Sequence, residues 1–209
     1  MILPCGREGA ARCSGVDAFR GVQAQIGEVI GWRNLFWALT DAMAGNPDVW
    51  VGGALLPNIG AGVAYRIFAT EAYPLVRSIV EKVIASGLIY VPSSARDFKN
   101  HEIDKYLQRF VRGSHGIDYK ERIKVMKLLW DAIGTEFGAR HELYELNYAG
   151  SHELIRLFGL QQAQASGSLK EMEALVVRCM ADYDESGRND PAYRDGSDIC
   201  ILGRQPPLR

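Results

Sequence analysis

From Val16 to Met43 the chain reads "VDAFRGVQAQIGEVIGWRNLFWALTDAM", with apolar residues at Phe19, Val22, Ile26, Val29, Ile30, Phe36, Leu39 and Met43. Apolar steps of three and four sustained this far describe one wide stripe on a long α-helix and fit no strand. Such a helix gains most of its stability by burying that stripe against other helices. A second stretch, "DYKERIKVMKLLWDAIGTEFGARHELYEL", repeats the pattern, placing Ile123, Met126, Leu129, Trp130, Ile133 and Phe137 on one stripe of a second long helix. "VAYRIFATEAYPLVRSIVEKVIASG" supplies a third helix, with Pro74 as a kink or junction and Gly87 as its C-cap. Ser94 and Asp97 form a capping arrangement ahead of the helical "FKNHEIDKYLQRFV", and two modest helices follow in "SHELIRLFGLQQAQAS" and "SLKEMEALVVRCMADYD". Between the first and third helices "AGNPDVWVGGALLPNIGAG" reads as a long irregular connection, "LIYVP" as a short extended piece and "RGSHG" as a turn. With no sustained strand alternation and no internal repeat, the expected fold is all-α. Its form is an antiparallel bundle of two long helices and one kinked helix, with shorter ones packed on them.

The domain implied by this pattern runs over residues 16–184. Residues 1–15, "MILPCGREGAARCSG", lack apolar periodicity and a continuous apolar core, which predicts a disordered or non-native leader and no signal peptide. The Gly-, Pro- and Asp-rich stretch 185–209 predicts an irregular tail. In a chain of 209 residues, 47% hydrophobic and 23% charged residues are ordinary for a soluble globular domain. A formal net charge of −1 gives no electrostatic footing for nucleic acid or an anionic membrane. No apolar run approaches the roughly 20 residues of a membrane span. Cys5, Cys13, Cys179 and Cys200 are widely separated and form no CxxC pair, which predicts a reducing, cytoplasmic setting.

Few residues suggest chemistry on their own. None of His101, His115, His141 and His152 follows a Glu or Asp by three residues, so the Glu-x-x-His spacing of carboxylate-bridged bundles is missing and no metal site is assigned. Cys179, inside an apolar helix, reads as buried and inert. Ser93 and Ser94 lack the glycines of a nucleophile elbow. Trp32, Phe36, Trp37, Trp50, Trp130 and Phe137 read as core packing. One stretch stands apart, "TEFGARHELYELNYAGSHE", which gathers Glu136, Arg140, His141, Glu142, Tyr144, Glu145, Asn147 and Tyr148 before an Ala149-Gly150-Ser151 step into the next helix. The step has two readings. One is a helix corner N-capped by Ser151. The other is a place where first-turn N–H groups and a bare Gly150 backbone meet an anion or the polar edge of a cofactor.

"FRGVQAQIGEVIGWRNLFWALTDAM", "ASGLIYVPSSARDFKN", "RIKVMKLLWDAIGTEFGARHELYELNYAGSHELIRL" and "QQAQASG" resemble the C-terminal domain of the 4-hydroxyphenylacetate 3-hydroxylase family, the oxygenase components of flavin-dependent aromatic monooxygenases. The resemblance runs from about Val16 to about Asp184. It implies the helical bundle that closes the acyl-CoA dehydrogenase architecture. "YAGSHELIR" also resembles the Tyr-x-Gly-x-x-x-Ile motif with which acyl-CoA dehydrogenases touch flavin, implying that Tyr148, Ala149, Gly150 and Ser151 meet FAD with Arg140 nearby. The activity so implied is hydroxylation of a phenol by FADH2 supplied from a flavin reductase, in a cytoplasmic homotetramer. The family's preceding helical and barrel domains would supply the rest of the flavin cradle and the grip on the phenol, so no catalytic residue is assigned. The alternative is a helical assembly module without enzymatic activity. A dehydratase of the related 4-hydroxybutyryl-CoA type would need an iron–sulfur cluster, which the spread of the cysteines disfavours.

Overall fold

The computed structural model describes residues 9–148 and 150–181. Eight α-helices fall within them: α1 (Ala10–Cys13), α2 (Arg20–Gly45), α3 (Ile59–Ile84), α4 (His101–Phe110), α5 (Tyr119–Ile133), α6 (Glu136–Tyr148), α7 (His152–Ser166) and α8 (Ser168–Ala181). The all-α expectation holds, with one small hairpin added. The chain divides into two compact units, the first ending at Leu160 and the second beginning at Gln161.

In the first unit, α2 packs on α3 through an aromatic ladder. Phe36 meets Tyr65 edge-on at 4.8 Å, and Trp32 lies 6.3 Å from Phe36 and 6.2 Å from Phe68. The core is built from Val29 of α2, Ile79, Val80 and Ile84 of α3, and Val125, Met126 and Leu129 of α5. Ala10 and Cys13 belong to the same core, at 0% and 1% exposure. The leader expected over residues 1–15 is therefore corrected at Ala10–Cys13. A helix of one turn is too short to show periodicity, and small Ala and Cys side chains let its backbone sit against α3 and α5. Residues 1–8 and the tail expected over 185–209 lie outside the described residues.

Four local expectations change. The long connection after α2 contains strands β1 (Asp48–Val49) and β2 (Leu55–Leu56), paired antiparallel with Asp48 opposite Leu56. Gly52 and Gly53, at φ 72° and 79°, make the turn. The hairpin sets the start of α3: the Asp48 carboxylate accepts from Ile59 N at 2.6 Å, and the Asn58 side chain accepts from Ala61 N at 2.9 Å. Helix α3 runs on through Pro74 and ends at Ile84, whereas Gly87 sits inside a 3₁₀ turn over Ala85–Leu88. Ile89 and Tyr90 continue as a turn where an extended piece was expected. Ser94 and Asp97 do form a reciprocal capping box, but on a separate 3₁₀ turn (Ala95–Lys99), and Asn100 caps α4.

The second long helix of the sequence is two helices. Gly134 caps α5 with its N–H on Trp130 O at 2.7 Å, and the Thr135 hydroxyl then accepts from Gly138 N at 3.1 Å to open α6. The Trp130 ring lies where a side chain at Gly134 would stand, 2.6 Å from an added Cβ.

Ala85 carries φ 47° and ψ −128°, a conformation glycine adopts freely and alanine does not. Ala85→Gly is expected to raise stability by about 1 kcal/mol, read as a higher urea midpoint with an unchanged slope.

In the second unit, Gly167 at φ 84° turns the chain from α7 into α8, and the Ser166 and Ser168 hydroxyls both reach Ala163 O at 3.3 Å. Helix α8 exposes Met172, Leu175, Val176, Val177 and Met180, each by more than half. Cys179, expected to be buried, is exposed on the same helix. Apolar spacing names a face without saying what covers it.

Candidate functional site

The helix break at Gly134 and Thr135 redirects the chain from α5 into α6, which packs on α5 and is tied to α3 by the Arg77–Glu142 pair. Gly138 makes this possible: an added Cβ there would stand 2.7 Å from both Asp131 O and Ala132 O. Backbone thus meets backbone where α6 begins, and a cavity of about 590 Å³ opens beyond it.

One wall is the stripe Tyr65, Ala69 and Tyr73 of α3, joined by Thr70; the facing wall is Gly138, His141, Glu142, Glu145 and Tyr148 of α6. Ile155 of α7, 3% exposed, closes the floor. Three phenol rings and several carboxylates around an apolar floor suit a flat, polar-edged ligand.

Two ion pairs fix the walls. Arg77, the next step of the Tyr65–Ala69–Tyr73 stripe, donates from Nη1 to Glu142 Oε2 at 2.6 Å and from Nε to Glu81 Oε1 at 3.0 Å. The Glu142 side chain keeps only 12% exposure. The guanidinium holds its proton more firmly than usual, first through the Glu81 hydrogen bond. Burial, and then the Glu142 charge, push the Tyr73 phenol above the ordinary tyrosine value. On the other side of the corner, Arg156 of α7 pairs with Glu71, reaches Thr70 Oγ1 at 3.3 Å and donates to His152 O at 2.9 Å. Both α6 and α7 are therefore tied to α3, with the corner between them.

The corner itself shows the capping reading of the sequence. Ser151 is an N-cap, its hydroxyl accepting from Leu154 N at 3.2 Å. Gly150 holds φ 108°, its N–H on Asn147 O at 3.1 Å. Ala149 lies outside the described residues. Tyr148 lines the cavity, tilts against Tyr144 at 5.1 Å and remains 73% exposed. Arg140 is not brought to this group: 78% exposed, it pairs with Glu136 of its own helix at 3.4 Å. The residues that sequence reasoning missed are Tyr65, Tyr73 and Arg77. Their spacing of four was visible, but every apolar or amphipathic helix face shows it.

The aromatic residues expected in the core are largely outside it: Trp37, Trp50 and Phe137 are 56%, 57% and 80% exposed. Among the described residues, no helix is long and apolar enough to cross a membrane.

Residues 8–177 match the family model described as "4-hydroxyphenylacetate 3-hydroxylase C terminal". The match begins before Val16, in keeping with the buried α1. The chain is 56% identical over 195 residues to the oxygenase component of 4-hydroxyphenylacetate 3-monooxygenase from Pseudomonas aeruginosa, covering 93% of this chain and 38% of that protein. It is 47% identical to the oxygenase component of a Rhodococcus 4-nitrophenol 2-monooxygenase, covering 97% of this chain and 39% of that one. Among solved structures, the oxygenase component HpaB of 4-hydroxyphenylacetate 3-monooxygenase complexed with FAD superposes with a TM-score of 0.73 at 28% identity, over 84% of this chain and 36% of that chain. A 4-hydroxybutyryl-CoA dehydratase shares the fold at a TM-score of 0.68 and 17% identity. The chain thus spans less than two-fifths of the length of these relatives.

Proposed function

This chain belongs to the 4-hydroxyphenylacetate 3-hydroxylase family and matches its C-terminal part; from that premise we propose that it is the FAD-contacting and oligomer-forming domain of a two-component aromatic monooxygenase. The observation that carries the reading is the cavity between α3 and α6, opening beside the Tyr148–Gly150–Ser151 corner. Reduced FAD, delivered by a flavin reductase, would supply the oxygen-activating chemistry that hydroxylates a phenolic substrate of the 4-hydroxyphenylacetate type.

The residues present fit a flavin edge. Gly150 brings bare backbone to the surface, and an added Cβ would meet Leu154 Cδ2 at 3.3 Å in a conformation side chains rarely adopt. Tyr148 offers a ring face, and α7 presents its N-terminus to a polar or anionic group. The roles of this chain are then to seat the flavin, hold its orientation through the Arg77 and Arg156 ties, and exclude water with Tyr65, Tyr73 and Ile155. Arg140 is left out, being engaged with Glu136. No residue here is assigned to catalysis. Regions of the relatives beyond the match would complete the flavin cradle and grip the phenol.

The exposed apolar residues of α2, the hairpin and α8 support packing against further protein. We place that protein in a homotetramer and in the cytoplasm.

Grafted into the Pseudomonas relative in place of its matched region, the chain is expected to support reductase-dependent hydroxylation of 4-hydroxyphenylacetate. In that hybrid, Gly150→Val is expected to weaken reduced-FAD binding at least tenfold, measured by anaerobic titration, with helicity and assembly unchanged. Gly52→Val, also at a positive φ but in the hairpin turn, should leave flavin affinity alone. A hybrid that assembles yet binds no flavin would leave only the assembly role.

A further inference from the structure

Away from this cavity, a groove of about 310 Å³ is walled by Ser86, Gly87, Tyr90, Phe110, Val111 and Arg122. Arg122, in the first turns of α5, is half-buried; its Nε is shut off from solvent and has no hydrogen-bond partner among the described residues. Among the described residues, no Asp or Glu lines the groove. The neighbouring Arg109 adds to the positive charge, its guanidinium lying over the Phe110 ring at 5.2 Å. A guanidinium N–H drawn out of water without an acceptor is costly, and a carboxylate matches the planar fork of a guanidinium with two parallel hydrogen bonds.

The walls around Arg122 are also particular. At Gly87 an added Cβ would stand 3.8 Å from Arg122 Nη2 and 3.1 Å from Ile84 Cγ2, so the bare glycine leaves one approach to the guanidinium uncovered. Tyr90 and Phe110, 69% and 68% exposed, are among the aromatic side chains most open to solvent. Both line the groove that holds the guanidinium. Its volume is at the lower end for small-molecule sites, enough for a single ring.

We propose that the groove at Arg122 binds a small aromatic carboxylate, its carboxylate on the guanidinium and its ring against Tyr90 and Phe110. The site is separate from the flavin cavity and stands or falls independently of it.

Benzoate and its neutral counterpart benzamide test this on the 209-residue protein, followed by amide NMR shifts. Benzoate is expected to saturate, moving amides at 86–90 and 110–122, with benzamide at least tenfold weaker. Arg122→Gln is expected to lose at least tenfold in benzoate affinity. If that variant does not fold, Arg122→Lys, which keeps the charge without the fork, should lose a similar factor. Equal binding of benzamide, unchanged binding in the variants, or equal competition by inorganic phosphate would each overturn the proposal. So would benzoate shifts confined to residues lining the α3–α6 cavity. Failure of benzoate to bind a protein whose self-association is abolished by Arg122→Gln would overturn it too, assigning Arg122 to an acidic group of a second copy.

Discussion

Gly138→Val is expected to destabilise the protein by roughly 3 kcal/mol, as overpacking against a surface that cannot yield. The atoms in the way are the carbonyl oxygens of Asp131 and Ala132, each 2.7 Å from an added Cβ, and not the far ends of flexible side chains. Helix α6 would have to lift from the end of α5, breaking the hydrogen bond from Gly138 N to the Thr135 hydroxyl that opens it. The cavity would deform with it, because Gly138, His141 and Glu142 line one wall. Thermal unfolding should fall by on the order of 10 °C for a chain of this size. The contrasting substitution is Gly31→Ala. Gly31 lies inside α2 with nothing within 4 Å of an added Cβ, so alanine there should gain up to about 1 kcal/mol through helix propensity. Two glycine substitutions of opposite sign would locate the constraint in backbone contact at one position.

The same residues show what was legible in the sequence and what was not. Periodicity identified α2, α3 and α5, because a stripe of three- and four-residue steps has no other regular explanation. It carried the second long helix straight through Gly134, since Ile133 and Phe137 keep the helical step across the break. What ends α5 there is the Trp130 ring lying against Gly134, and what restarts the chain is the Thr135 hydroxyl. Both are contacts between neighbours and invisible to a pattern of apolar positions. The site was half legible for a related reason. Tyr148, Gly150 and Ser151 stood out as a break between helices, whereas Tyr65 and Tyr73 looked like any other helix stripe until α6 was seen folded across them. Arg140 drew notice by its place in a polar run, but its partner is Glu136, one turn away. The aromatic residues misled most. Hydrophobic spacing marks a face without saying what lies against it, and Trp37, Phe137 and the α8 stripe stand exposed among the described residues.

Removing the Arg77 side chain is expected to cost about 2 kcal/mol, less than a fully buried pair because Arg77 keeps a third of its exposure. The cost arises at Glu142, whose side chain is 12% exposed and whose cation in the structure is Arg77. Glu142→Gln should be milder, since the amide oxygen still accepts from the guanidinium and Arg77 keeps Glu81. In the double variant the losses should add to less than their sum, as for any pair sharing one interaction. The Tyr73 phenol gives a second readout with a defined sign. Its proton is held above the ordinary value by burial and by Glu142, and is loosened by Arg77. Arg77→Ala should therefore move tyrosinate absorbance to still higher pH, and Glu142→Gln should move it lower. Because the folded-state value is raised, the stability linked to Tyr73 is fully present below the ordinary tyrosine range. It is lost as pH climbs through the folded-state value. Shifts of the same sign in both variants would mean that Tyr73 responds to general loosening of α6, and that the Arg77–Glu142 pair does not set the field inside the cavity.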